Sequence, residues 1–167
     1  MNDHAHPAQT VPHRDRLIVA LGAVADGAIL LAIVHGLASG AVARSSVRSL
    51  WLLAHLGAVL PALPLGAYVL TARKGDTLHR GLGKCWAVLM LLAALSSFGL
   101  RGVTGGLSPI HLLSILVLAM IPRGVLLARA HRIAAHRRVM SLTYLGLAVA
   151  GLFTLLPGRL LGSWLFS

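Results

Sequence analysis

Five long apolar runs divide this chain, each bounded by charge, glycine or proline. They fall at about residues 17–42, 50–71, 80–100, 109–129 and 138–157. A bilayer-spanning helix needs roughly 20 mostly apolar residues, and each run is about that long. The gaps are short, so consecutive helices are expected to be antiparallel. Local signals agree with helices here: Ser108-Pro109 reads as an N-cap followed by proline at the first helical position, Asp76 can cap the third helix, and Pro157-Gly158 ends the fifth. Pro61, Pro64 and Pro122 lie inside runs and predict kinks. The expected fold is an all-α integral membrane protein of five transmembrane helices. Helices 2–5 form an up-down four-helix bundle, and residues 17–162 make a single transmembrane domain.

The ends of the chain carry a different pattern. Residues 1–16, MNDHAHPAQTVPHRDR, are polar with two prolines and read as a disordered cytoplasmic tail, and residues 163–167 read as a short tail. The first run exceeds the 7–15 residue core of a typical signal peptide. It also contains Asp26, so it reads as a retained helix.

Charge changes the picture in two ways. Only 11% of residues are charged and four are acidic, none of them Glu. A soluble domain carries about 25%, so bilayer rather than water is the expected solvent. The net charge of +11 does not point to nucleic acid, because the basic residues sit between apolar runs and no nucleic-acid motif accompanies them. Ten Lys and Arg (Arg14, Arg16, Arg73, Lys74, Arg80, Lys84, Arg129, Arg132, Arg137, Arg138) fall on one side of the expected bilayer, and four (Arg44, Arg48, Arg101, Arg159) on the other. The positive-inside rule then sets the N-terminus in the cytoplasm and the C-terminus outside. Trp51, Trp86 and Trp164 lie near run ends, as an aromatic belt would have them. A lone Cys85 gives no disulfide framework and no metal knuckle. Without Glu there is no HExxH, and neither a Ser/His/Asp constellation nor a glycine-rich phosphate loop is present, so hydrolase and nucleotidase readings lack support.

Nine histidines are many for so apolar a chain. His4, His6 and His13 fall in the tail, and His131 in a loop. Four others recur near the N-terminal ends of consecutive helices: His55 on the second, His79 on the third, His111 on the fourth and His136 on the fifth. Helix direction alternates, so His55 and His111 share the outer side and His79 and His136 the inner side. In an up-down bundle each pair lies across a diagonal. Two opposed imidazoles at similar depth are what a b-type haem requires, and two such pairs would make an electron path across the bilayer. A helix N-terminus also favours neutral imidazole, the ligating form. Met140, one turn after His136, reads as packing. The competing reading of the four is plain: histidines at helix ends facing headgroups or water.

His35, in the outer half of the first helix, could join His55 and His111 around Zn or Cu, but no carboxylate is near to orient them; a hydrogen bond across helices suits it better. Asp26 and Arg123 are ionisable residues inside runs, and such residues are functional candidates by default. Residue counts put both in the inner half, so they are expected to form an intramembrane ion pair between the first and fourth helices. Alternatives are a proton site at Asp26 and a propionate or headgroup contact at Arg123.

The stretches ARKGDTLHRGLGKCWAVLM (72–90), SPIHLLSI (108–115), AHRRVMSLTYLGL (135–147) and GLFTLLPGRLLG (151–162) resemble the bacterial family called domain of unknown function 2306, small polytopic membrane proteins. The resemblance runs over roughly residues 50–162. Its most specific elements map onto Lys74, Gly75, Asp76, His79, Arg80 and Gly83, and onto His136, Arg137 and Met140. It implies a membrane fold in the bacterial inner membrane and no particular chemistry. The histidine pattern is similar in outline to two-haem membrane cytochromes b, an analogy of architecture only.

Three function classes follow. The first is a redox component binding haem b at His55, His111, His79 and His136, with a quinone or a partner subunit as donor or acceptor. The second is a cofactor-free assembly subunit. The third is a small proton-coupled transporter using Asp26, with a homodimer supplying the internal repeat that five helices lack.

Overall fold

The computed structural model describes residues 13–41, 50–100 and 109–166. Five long helices follow one another: α1 (His13–Ala38), α2 (Leu50–Thr71), α3 (Thr77–Ser97), α4 (Pro109–Arg129) and α5 (Ile133–Phe153). A short α6 (Leu160–Leu165) comes last. No strand occurs among the described residues. Ser108, the expected cap of the fourth helix, and Arg44, Arg48 and Arg101 lie outside the described residues.

Among the described residues, four helices are long and apolar enough to cross a membrane: α1, α2, α3 and the His111–Arg129 part of α4. The fifth, α5, has 21 residues but carries His136, Arg137 and Arg138 near its start. The outward faces are largely apolar, with Leu31, Val34, Leu53, Leu92, Leu112 and Leu126 all exposed, and most exposed charges (Arg16, Arg80, Lys84, Arg138) sit near helix ends. A bundle dissolved in water would put its polar face there; this one turns the same faces to hydrocarbon. The helices hold together through close packing of small residues, as membrane bundles do.

The order of packing differs from the expected four-helix core. Along the ring, α2 packs on α3, α3 on α4 and α4 on α5, but α5 closes chiefly onto α1, which packs in turn on α2. The direct contact between α2 and α5 is slight. The ring therefore has five members. The reason lies in the buried stripe of α1: Asp15, Ile18, Gly22, Ala25, Ile29, Ala32 and Gly36 recur at steps of three and four. That spacing keeps one face turned inward along the whole helix, and its small side chains let α1 slot between two neighbours.

The seam is fixed by Tyr144 of α5, which is 0% exposed. Its ring is clasped between two glycines: a Cβ on Gly22 would lie 1.8 Å from Tyr144 Oη, and one on Gly66 would lie 2.6 Å from Tyr144 Cδ2. Gly66 also makes room for Trp86, whose Nε1 donates to the Ala62 carbonyl at 3.0 Å. Met140 does the same against Gly124, where a Cβ would lie 1.7 Å from its Cε. Both Trp86 (3% exposed) and Trp164 (4%) are thus buried in the bundle rather than set in a belt, and only Trp51 faces outward.

Helix boundaries follow local chemistry. Asp76 caps α3 by accepting from the His79 amide at 2.7 Å, which starts the helix at Thr77 rather than at residue 80. Gly75, at φ +86°, supplies the left-handed turn before it. The stop between α4 and α5 is His131, at φ +57°, where the Arg132 amide reaches back to Leu127 O at 2.9 Å. That is a left-handed C-terminal cap made without glycine. Helix α4 runs unbroken across Pro122 and α2 across Pro61 and Pro64.

Both expected tails need correction where they are described. Residues 13–16 form the first turn of α1, because burying Asp15 needs that turn. Residues 163–165 belong to α6, which buries Leu161, Gly162 and Trp164 against α1.

Candidate functional site

Apart from His13, exposed at the start of α1, each helix-borne histidine faces a backbone carbonyl of another element. His35 Nδ1 donates to Trp164 O at 2.7 Å, His55 Nδ1 to Ala93 O at 2.9 Å, His136 Nδ1 to Gly124 O at 2.8 Å and His111 Nε2 to Ser97 O at 3.2 Å. His79 lies against the Val69 carbonyl. A carbonyl only accepts, so each bonded nitrogen carries a proton. His55 also meets Ser96 Oγ at 3.3 Å, but that hydroxyl spends its own proton on Leu92 O at 2.7 Å, so it too is an acceptor here. The neutral His55 ring therefore leaves Nε2 as a bare acceptor, and the same holds for His136. His111 has its Nε2 turned to Ser97 and its ring beside Phe98, centroids 5.5 Å apart.

One cavity runs between α2, α3, α4 and α5, touches α1 at Ile29 and reaches the start of α6. Its volume is about 680 Å³, within the usual range of ligand pockets, about 300–1,000 Å³. The wall is almost entirely apolar, built from residues such as Ile29, Val59, Met90 and Leu147. Its polar groups are few: His55, Ser97, Ser114, Thr154 and Arg159. Ser97 Oγ donates to Ala94 O at 2.7 Å, so in the 2.6 Å contact between Ser97 Oγ and Ser114 Oγ it is Ser114 that donates. Ser114 is left with accepting lone pairs only. The cavity thus offers acceptors at His55 and Ser114, and a guanidinium at Arg159. His111 is not on its wall. No three His, Cys, Asp or Glu side chains converge as a metal site among the described residues, so His35 does not join His55 and His111.

The opposite end of the bundle is built around a carboxylate. Asp15, 1% exposed, receives Arg137 through Nη2 at 2.6 Å and Nε at 2.8 Å on Oδ2. Its Oδ1 receives Ser141 Oγ at 3.2 Å and lies 3.6 Å from Arg14 Nη2. Lys74, on the loop from α2 to α3, folds its ammonium onto the Leu70 carbonyl. Burial pushes Lys74 below the ordinary lysine value; neighbouring Arg137 pushes it the same way and Asp15 opposes them. His79 lies within electrostatic reach of Lys74 and His136 and of the Asp76 carboxylate. Its Nδ1 is buried with no hydrogen-bond partner. The fold therefore brings together Lys74, His79, His136 and Arg137, which lie up to 63 positions apart in the chain. All four come from the two sequence elements that were most specific.

The expected pairing of Asp26 with Arg123 does not form. Both ion pairs among the described residues use Asp15. Arg123 is exposed on α4, next to Gly124, which packs on Met140 near the start of α5. Asp26 is half-buried on α1, next to Ala25, which lies beside Gly151 near the far end of α5. Counting residues from helix ends hid this offset, because α1 starts four residues earlier than its apolar run. What sequence reasoning missed was Asp15, and its signal was available: it continues the three-four stripe of α1 by one step. The Tyr144 Oη, clasped at Gly22, is likewise buried and without a partner.

Comparison with known proteins matches the chain to the family described as predicted membrane protein, domain of unknown function 2306, over residues 52–161. No curated protein and no solved structure matches the chain.

Proposed function

The chain belongs to the family of predicted membrane proteins with domain of unknown function 2306, and on that footing we propose that it binds a lipophilic, hydroxyl-bearing molecule of the quinol class inside the bilayer. The observation that carries this reading is the 680 Å³ cavity with its acceptor wall at His55 and Ser114. An apolar body fits the lining, a hydroxyl donates to His55 Nε2, and Arg159 meets a second oxygen. In this reading α5 is the fifth span, its His-Arg-Arg segment lies at the cytoplasmic surface, and the termini stand on opposite sides. The excess of basic residues on the N-terminal side supports that orientation.

The haem version of this reading fits in part. His55 lines the cavity and its Nε2 is free of the Ala93 bond, as an axial ligand's would be. The partner expected on the diagonal, His111, is off the wall with its Nε2 engaged, so a bis-histidine site there needs His111 to leave Ser97. At the other end His136 keeps Nε2 free and His79 keeps Nδ1 free.

The test is to purify the protein in mild detergent, record oxidised and dithionite-reduced absorption spectra, and extract bound lipids for mass spectrometry. A co-purifying quinone whose amount drops in His55→Phe supports the proposal. A Soret band that shifts on reduction and is lost in His55→Ala replaces the quinol by haem. Neither signal, after incubation with excess of both, overturns ligand binding and leaves an assembly subunit or an Asp26-dependent carrier.

A further inference from the structure

The basic end of the bundle holds more positive charge than it neutralises. Arg14, Lys74 and Arg137 gather there with His79 and His136, against two carboxylates: Asp15 at their centre and Asp76, the cap of α3, beside His79. Both oxygens of Asp15 are already used, by Arg137 on one side and by Ser141 and Arg14 on the other. Lys74 has only a neutral carbonyl as its hydrogen-bond partner, while Arg137 repels it. Partly buried charge without a counter-ion is costly. The Arg137 side chain remains one-third exposed (33%), so guanidinium donors stay open toward the outside. His79 Nδ1, buried and unpartnered, faces the same group of charges.

We propose that Lys74, Arg137 and His79 form a binding site for a phosphate-type anion, at the junction of the α2–α3 loop with the starts of α1 and α5. Its position at a helix-bundle end in a membrane protein makes a phospholipid headgroup the natural source, and a free phosphate would use the same donors. Arg137 grips one oxygen without releasing Asp15, Lys74 turns from Leu70 to a second, and His79 Nδ1 donates to a third when the ring takes up a proton with the anion. Arg73, Arg80 and Lys84 lie close by in sequence but are exposed and outside this cluster.

The experiment compares the detergent-purified protein with phosphatidylglycerol, with phosphatidylcholine and with inorganic phosphate. Binding is read by thermal stabilisation and by lipid retained in native mass spectrometry. The wild type is expected to take phosphatidylglycerol over phosphatidylcholine. Lys74→Met should weaken that binding tenfold or more, the loss expected for a hydrogen bond between charged groups. Arg73→Met and Arg80→Met should weaken it by about fivefold at most, as for a charge near an anionic surface. Stabilisation by inorganic phosphate that Lys74→Met removes would identify the free anion; an effect of phosphatidylglycerol alone would identify the headgroup. Equal weakening by Lys74→Met, Arg73→Met and Arg80→Met would overturn the site in favour of diffuse attraction. So would the absence of both a preference for the anionic lipid and stabilisation by inorganic phosphate. Lys74→Met keeps the Asp15–Arg137 pair, and Lys74→Gln serves as a second variant if it folds poorly.

Discussion

The same substitution should have opposite signs at two glycines of one helix. In α2, an added Cβ at Gly57 meets nothing within 4 Å. Alanine there should stabilise by about 1 kcal/mol through helix propensity alone. At Gly66 the added Cβ would lie 2.5 Å from Trp86 Nε1 and 2.6 Å from Tyr144 Cδ2. Neither ring can step aside, since Trp86 is 3% and Tyr144 0% exposed. Overpacking a core costs about 1–3 kcal/mol, and loss of the Trp86 bond to Ala62 O costs about 0.5–1.5 kcal/mol. Set against the propensity gain, Gly66→Ala should lose about 0.5–3.5 kcal/mol net. The assay is reversible denaturant unfolding in one detergent, followed by tryptophan fluorescence, with near-ultraviolet circular dichroism reporting Trp86. If Gly66→Ala proves as stable as Gly57→Ala, the close clasp of Tyr144 and Trp86 is refuted. So is the five-membered ring that depends on it. A cycle of Gly22→Ala with Tyr144→Leu should show the second change relieving the first.

Other outcomes can be stated more briefly. Arg137→Ala strands a buried carboxylate and should cost about 3–5 kcal/mol, with Asp15→Leu/Arg137→Leu recovering most of it in thermal unfolding. Lys74 is depressed in the folded protein, so the unfolded chain holds that proton more tightly; stability should rise with pH as it approaches the ordinary lysine value of about 10.4. Lys74→Met should flatten that rise when unfolding midpoints are plotted against pH. His131→Gly removes left-handed strain at φ +57° and should stabilise by about 1 kcal/mol. Reporter fusions at the two termini should be active on opposite sides of the membrane; activity on the same side would refute the fifth span.

The helices were legible because apolar length is a direct physical requirement of the bilayer. Their ends were less so. Arg14 and Arg16 made the start of α1 look like tail, although Asp15 sits in register with Ile18 and Gly22. Trp86 and Trp164 near run ends suggested headgroups, yet each is buried among helices, since a helix end can be covered by a neighbour that hydropathy does not register. The motif histidines His79 and His136 could be placed at one end of the bundle from helix direction alone. What could not be read was the company they keep. The offset of α1 against α5 decides that Arg137 meets Asp15, and no periodicity within a single helix encodes an offset between two.

The histidine joints have an evolutionary corollary. His35, His55, His111 and His136 each meet a main-chain carbonyl, at Trp164, Ala93, Ser97 and Gly124. Every residue type presents that oxygen, so the partner position is free to drift while the joint survives. Paired substitutions, the usual trace of two residues in contact, should therefore be missing at these four places among related sequences. The histidine alone would be retained, as though it had no partner in the chain.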